Sequence, residues 1–273
     1  MDTKSSKPGS LLSYLNLKVS FLSALSLYPN RYYRKVDRLK QKFGKDQLNT
    51  DGTKRERNTV EPCIYVKDVQ KKLNRILQLY SLPNCMLGGV KGRNNIQNAF
   101  IHKDNRHFLT VDLEQFFNNI SNRQVFRALT DNGFSWEDAR AITKLTTYEK
   151  RLPQGAPTST VLANMVLSKT AIILERFCAE HNITFTCFVD DLTFSSKTNF
   201  KYLSRQIIRI IKDGGFKIND RKVKYSHDRC EITGLFIYKG KLGLEKGMLN
   251  DLDNPGRQAY ANKVKAYNEL IAP

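Results

Sequence analysis

Asp190 and Asp191 are adjacent acids in the run Thr184–Ser196, TFTCFVDDLTFSS, flanked by two short stretches rich in aromatic, β-branched and apolar residues. Such flanks read as the strands of a β-hairpin with the acids at its tip. Two carboxylates in one tight turn repel each other, and a divalent cation relieves the conflict because hard cations prefer carboxylate oxygens. An Asp-Asp pair alone is more often an ordinary acidic turn. Asp112 shifts the balance, because it ends a second apolar run, His107–Leu113 (HFLTVDL), that reads as a buried strand. Three carboxylates from neighbouring strands suit two Mg2+ ions about 3.5–4 Å apart, the arrangement of in-line phosphoryl transfer. One ion activates an attacking hydroxyl and the other neutralises a triphosphate and its pyrophosphate leaving group. Nucleases use the same ions, so the acids leave synthesis and cleavage both open.

A basic loop, Gly88-Gly89-Val90-Lys91-Gly92-Arg93, tilts the reading towards triphosphate binding and hence polymerisation. Its glycines let backbone approach a ligand closely, and Lys91 and Arg93 suit phosphate, although the Walker spacing is missing. The formal net charge of +19 favours a polyanionic partner, either nucleic acid or an acidic membrane face. Two regions concentrate that charge: Arg31–Val60 carries ten Lys or Arg against four acids, and Lys201–Cys230 nine against three. Tyr32, Tyr33 and Phe43 are interleaved in the first, as in surfaces that stack bases, although a solvated helix face followed by a loop has the same composition. No apolar run reaches transmembrane length, and Asn16 and Lys18 interrupt the one stretch, Leu11–Tyr28, that resembles a signal sequence. Five scattered cysteines without a CxxC pair point to reduced thiols in the cytoplasm, and four dispersed histidines give a zinc site little support.

Helical spacing marks Leu11–Leu25, Val66–Tyr80, about Thr160–Glu180 and Tyr202–Lys212, with Gly214-Gly215 as a stop. Ser121 with Gln124, and Ser135 with Asp138, open two more helices. Phe216–Tyr225 alternates as a strand, and Glu231–Tyr238 with Lys241–Leu244 reads as a hairpin turning at Lys239-Gly240. The tail, Leu249–Pro273, reads as a short polar helix. This order gives an α+β class, with helices on one face of a small antiparallel sheet.

Taken in order from about Arg55 to Leu244, the segments resemble a bacterial reverse transcriptase. TVDLEQFF around Asp112 resembles the first catalytic block of the palm, and Arg151–Ser159 (RLPQGAPTS) the block that supports template and incoming nucleotide. Phe188–Asp191 (FVDD) resembles the YxDD block with Phe for Tyr, and Phe216–Lys224 (FKINDRKVK) the lysine-bearing block that follows. Asn98 to His102 fits the NAxxH signature of retron enzymes, and Ile232-Thr233-Gly234 fits their VTG signature with Ile for Val.

The resemblance implies a right-hand polymerase. Its N-terminal helical extension would cover 1–30, its fingers 31–107, its palm 108–244 with a fingers insertion at about 130–160, and a short thumb 245–273. The short stretch after Leu244 argues against a maturase or endonuclease domain. It implies that Asp112, Asp190 and Asp191 hold two Mg2+ ions, with the carbonyl of Leu113 a further ligand. Phe117 would be the gate that selects dNTPs, with Phe116 in the core; a buried core residue is the plainer reading for Phe117. Gln154, Arg93 and Lys91 would touch the nucleotide, and Lys222, with Lys217 and Lys224 as neighbours, would protonate pyrophosphate.

It also implies a structured non-coding RNA, recognised in part through Asn98, His102, Thr233 and Gly234, and a 2′-hydroxyl-primed, branched RNA–DNA product. Turn-capping and packing roles are the plainer readings of those four residues. The family adds anti-phage defence with a separate effector protein. Another defence-associated or intron-type enzyme, and an inactive RNA-binding scaffold, are the alternatives.

Overall fold

The structure is a computed structural model that describes residues 14–15, 17–42, 45–49, 51–249 and 253–270. The start of the expected N-terminal helix, from Leu11 to Ser13, lies outside the described residues. Along the chain run α1 (Val19–Leu27), α2 (Pro29–Tyr32), β1 (Tyr33–Leu39), β2 (Gln41–Lys42), β3 (Lys45–Asp46), β4 (Glu56–Pro62) and α3 (Ile64–Leu77). Next come α4 (Asn95–Ile101), β5 (His107–Asp112), α5 (Phe116–Asn119), α6 (Asn122–Asp131), α7 (Trp136–Thr146) and α8 (Ser159–Glu180). The last third holds β6 (Thr184–Phe188), β7 (Asp191–Ser196), α9 (Ser204–Asp213), β8 (Lys224–His227), β9 (Arg229–Ile232), β10 (Leu235–Tyr238), β11 (Lys241–Leu244), α10 (Lys246–Leu249) and α11 (Pro255–Glu269). These elements fall into two compact units.

The first unit comprises the chain up to Leu39, Glu56–Ser81 and Ile120–Val166. In α3, Val66, Val69, Leu73 and Leu77 recur at helical spacing and all are buried, so one stripe supplies the packing face. Tyr33 Oη donates to the Leu145 carbonyl at 2.8 Å, and Gln70 Nε2 reaches both of those oxygens at 2.8 Å. Ser121 and Gln124 form both halves of a capping box that opens α6, and Ser135 accepts from the Asp138 N–H to open α7. The basic stretch after Arg31 proves to be strand rather than helix: β1 and β4 pair antiparallel from Tyr33↔Pro62 to Leu39↔Glu56. Only Tyr33 of β1 is buried, and the alternate buried positions of β4 are the polar Thr59 and Glu61, so the ladder carries no alternating apolar signal that a reading of sequence could detect.

The second unit comprises Lys40–Arg55, Leu82–Asn119 and Leu167–Pro273. Its main sheet has the order β6-β7-β5-β8, with every pairing antiparallel. Phe185 and Phe194 are register partners and stack at 4.7 Å, and Phe108 and Phe194 are fully buried. A second sheet, β11-β10-β9, is a meander with two tight turns. Thr233-Gly234 and Lys239-Gly240 both take positive φ at both positions, the pattern that matches strand twist in two-residue hairpins. The expected hairpin is therefore three strands, since Glu231–Tyr238 itself folds back at Thr233-Gly234. Ile96, Ala99, Phe108, Ile232, Leu235 and Val264 share one core, which seats α4, β5, the meander and α11 together.

The strand expected over Phe216–Tyr225 forms only from Lys224. Before it, Ile218 makes a single bridge to Leu113 and Asp220–Lys222 coils into a 3-10 turn. Asn219 and Asp220 favour turn geometry over a continuous ladder. That turn carries Lys222 to the end of β5, where it meets Asp112.

Candidate active site

The register of the main sheet fixes where the acids meet. Asp112 is the β5 partner of Asp191 at the start of β7, and Leu113 N–H donates to the Asp190 carbonyl at 2.9 Å. Phe188 pairs with Asp191, leaving Val189 and Asp190 as the two-residue turn. Val189 takes φ +60, a left-handed conformation that a β-branched residue rarely adopts. Gly88 lies directly against this turn: a Cβ there would stand 2.3 Å from Val189 N and 2.6 Å from the Phe188 carbonyl carbon. The segment before it is laced onto β6, with Cys187 N–H donating to the Cys85 carbonyl at 2.7 Å and Leu87 N–H to the Cys187 carbonyl at 2.8 Å. The glycine pair read as an approach to ligand thus serves, at Gly88, an approach to the acidic turn itself.

The carboxylates are strongly coupled. Asp191 is pushed up to about 7, first by burial and then by Asp190 and Asp112, with Lys222 opposing. Asp112 is held from the other side: Lys222 Nζ donates to its Oδ2 at 2.6 Å, and Asn219 N–H donates to its backbone carbonyl at 2.9 Å. As they stand, no three His, Cys, Asp or Glu side chains among the described residues converge into a metal-binding group. The donor chemistry nevertheless fits a divalent cation: hard carboxylate oxygens meet at adjoining strand ends, and burial together with the neighbouring carboxylates makes the charged form of Asp191 costly without a counter-ion. These groups line a cavity of about 360 Å3 whose wall also carries Glu231, Thr233 and Arg221. Glu231 and Asn219 were not singled out in the sequence, because neither stands in a pattern distinct from its surroundings.

The other expected site residues distribute unevenly. Leu113 is buried beside Asp112, and its bridge to Ile218 holds the end of β5. Phe116 is buried at 3% exposure, while Phe117 is half-buried with the two rings 5.5 Å apart. Lys91 is exposed, and Arg93 is exposed with its guanidinium donating to the Asn84 carbonyl at 3.0 Å. Gln154 belongs to the first unit, where its carbonyl accepts from Val60 N–H at 2.8 Å.

Direct RNA contact by Asn98 and His102 needs correcting, because both side chains are fully buried. His102 bonds Ser195 Oγ through Nδ1 and Thr186 Oγ1 through Nε2, each at 2.7 Å, and burial pushes its pKa down to about 3. Asn98 Nδ2 donates to Thr233 Oγ1 at 3.4 Å, and the neighbouring Asn95 Nδ2 donates to the Thr233 carbonyl at 3.1 Å and to Tyr260 Oη at 2.7 Å. The two short signatures meet here: α4 ties the β6–β7 hairpin to the Thr233-Gly234 turn and to α11. Thr233 and Gly234 remain half-exposed on the wall of the acidic cavity.

The reverse transcriptase (RNA-dependent DNA polymerase) family model matches residues 42–237. Among curated proteins, the chain is 31% identical over 196 residues to the retron Ec86 reverse transcriptase of Escherichia coli, covering 70% of this chain and 61% of the relative. It is 27% identical over 216 residues to the retron Se72 enzyme of Salmonella heidelberg, covering 73% and 56%. The chain therefore spans about six-tenths of the length of these relatives. Among solved structures, telomerase from Candida albicans in complex with a telomeric RNA fragment aligns with a TM-score of 0.55 at 10% identity, over 82% of this chain and 49% of that one. Apo telomerase from Candida tropicalis, truncated of its C-terminal domain, aligns with a TM-score of 0.51 at 11% identity, over 82% and 59%. At such identities the likeness is one of fold. Among the described residues no helix is long and apolar enough to cross a membrane.

Proposed function

The chain belongs to the reverse transcriptase family and has its α+β fold, and from that premise we propose that it is the RNA-directed DNA polymerase of a retron. The observation that carries this reading is the β5–β7 register, which sets Asp112 opposite Asp191 with Asp190 one residue away. In this reading the second unit supplies the palm and the first unit most of the fingers, with α11 in a short thumb. Two bound Mg2+ ions would supply hydroxyl activation and leaving-group neutralisation.

The chain's own residues do the rest. Asp112, Asp190 and Asp191 hold the cations, with the Leu113 carbonyl as an added oxygen. Lys222, which donates to Asp112 Oδ2, is the group that would carry a proton to the departing pyrophosphate. Phe117 closes on the sugar of the incoming dNTP and excludes a 2′-hydroxyl, and Lys91, Arg93 and Gln154 attend the nucleotide. Thr233 and Gly234, on the wall of the cavity, face the nucleic acid, while Asn98 holds Thr233 and His102 braces the β6–β7 hairpin.

The template is a structured non-coding RNA and the product a 2′-primed, branched RNA–DNA molecule made in the cytoplasm. A separate effector protein would couple it to anti-phage defence. Similarity to several retron reverse transcriptases supports the RNA partner.

The test is primer extension with dNTPs and Mg2+ on an RNA template. Wild type extends, and Asp190→Asn does not while still retaining RNA. Wild-type protein that binds RNA but never extends a primer would leave only the scaffold reading. Phe117→Ala admits rNTPs if Phe117 is the gate; unchanged sugar selection removes it from that role.

A further inference from the structure

Trp136 is the only tryptophan in the chain, and 56% of it is exposed. Large aromatic surface left in water has a use more often than an isolated aliphatic does. It opens α7 and lies in a groove of about 490 Å3 between α6 and α7, within the first unit. Phe126 of α6 meets its ring edge-on at 5.9 Å, and the Arg140 guanidinium lies 5.1 Å from its centroid. Trp136, Arg140 and Lys144 are spaced four apart, so they form one stripe along α7. Arg123 and Phe126 face that stripe from α6, three residues apart. The groove is lined by three cations and no acid. Glu137 and Asp138 follow Trp136 in sequence but do not line it.

We propose that this groove docks a single-stranded segment of RNA, with one base on the Trp136–Arg140 platform and the flanking phosphates on Arg123 and Lys144. The charge argues for this occupant. A protein partner needs apolar knobs and tolerates mixed charge, whereas an aromatic plane capped by Arg140, in a groove also lined by Arg123 and Lys144, matches a chain that alternates phosphate and base. Arginine over indole also presents a continuous flat cation, which suits a base's π-face. The site is separate from the chemistry of the acidic turn, so it stands or falls without polymerisation.

Because Trp136 is the sole indole among twelve tyrosines, emission excited at the red edge, where tyrosine does not absorb, comes from this groove. The full chain is titrated with a mixed-sequence single-stranded RNA oligonucleotide at low and at elevated salt, and binding is followed in parallel by anisotropy of labelled RNA. Saturable quenching that parallels anisotropy and weakens with salt is the expected result. Trp136→Leu should weaken RNA binding about tenfold, within the range for losing one stacked base, and Trp136→Phe should restore most of it. Arg123→Ala with Arg140→Ala should weaken it at least as much, with an unchanged circular dichroism spectrum in each variant. RNA that binds by anisotropy without altering Trp136 emission, or Trp136→Leu that binds as wild type does, overturns the proposal. So does quenching by an acidic polypeptide but not by RNA, which would make the groove a protein site. A chain that fails to extend primers yet shows the quenching loses the polymerase reading and keeps this one.

Discussion

The two ends of the β6–β7 hairpin make opposite use of polar groups. At the tip, Asp191 lies opposite Asp112 with Asp190 beside it in the turn, and burial together with repulsion from both holds Asp191 near a pKa of 7. Further along the same strands, Thr186 and Ser195 enclose His102, and both ring nitrogens have a hydroxyl partner. Asn105 adds bonds to Thr184 Oγ1 and Ser195 Oγ. One end crowds carboxylates together and opens into a cavity; at the other both ring nitrogens of a buried histidine are paired. A satisfied buried network specifies structure, whereas a strongly shifted carboxylate in an accessible cleft marks a candidate functional site.

The contrast breaks most sharply at Asp191. Asp191→Asn should lower the rate of primer extension by about a thousandfold or more, since it removes part of a metal site that contributes several kcal/mol at the transition state. The same substitution should raise thermal stability in EDTA at pH 8. The sign follows from linkage. Below the ordinary carboxylate range both folded and unfolded states are protonated, and no penalty exists. Between that range and pH 7 the unfolded chain ionises while folded Asp191 keeps its proton, so wild-type stability falls as pH rises and the whole penalty is present above about pH 7. Melting curves of both proteins at pH 5 and pH 8 check this; the gap should be present at pH 5 and clearly wider at pH 8.

His102→Ala should do the reverse, costing about 3 kcal/mol of stability by leaving a cavity and unpaired hydroxyls. Because His102 stays neutral down to about pH 3, the unfolded chain takes up a proton first as pH falls below the ordinary histidine value. Wild type should therefore lose stability between about pH 6.5 and 3, a slope that His102→Gln lacks in urea titrations.

Gly88→Ala sharpens the comparison without touching a charge. Its methyl group would press on the Phe188–Val189 backbone, so kcat should fall about tenfold to a hundredfold with little change in KM for dNTP. Smallest of all, Asn98→Ala should cost about 1 kcal/mol of stability and blunt RNA affinity only slightly, because it loosens Thr233 rather than removing an RNA contact.

The strands that carry the acids were legible in the sequence because each is a run of apolar and β-branched residues ending at Asp. The helices were legible where their stripes and caps coincide, as at Ser121 with Gln124. The β1–β4 ladder was hidden by its own charge, since a solvated strand has no apolar face to betray it. Lys222 was named from its block, but its contact with Asp112 depends on a 3-10 turn that alternation alone reads as strand. Asn98 and His102 drew an RNA role from the family signature, with structural roles as the rival; the hydroxyls of Thr186, Ser195 and Thr233, far along the chain, are what make them interior. Gly88 announced closeness of approach without naming what approaches.

The central claim is that Asp112, Asp190 and Asp191 form one cation site, and Mn2+ binding followed by electron paramagnetic resonance tests it most directly. Wild-type protein should take up Mn2+ saturably, with Mg2+ competing, and each single Asp→Asn variant should bind at least tenfold more weakly. Unchanged Mn2+ uptake by the triple variant Asp112→Asn, Asp190→Asn, Asp191→Asn would contradict the account.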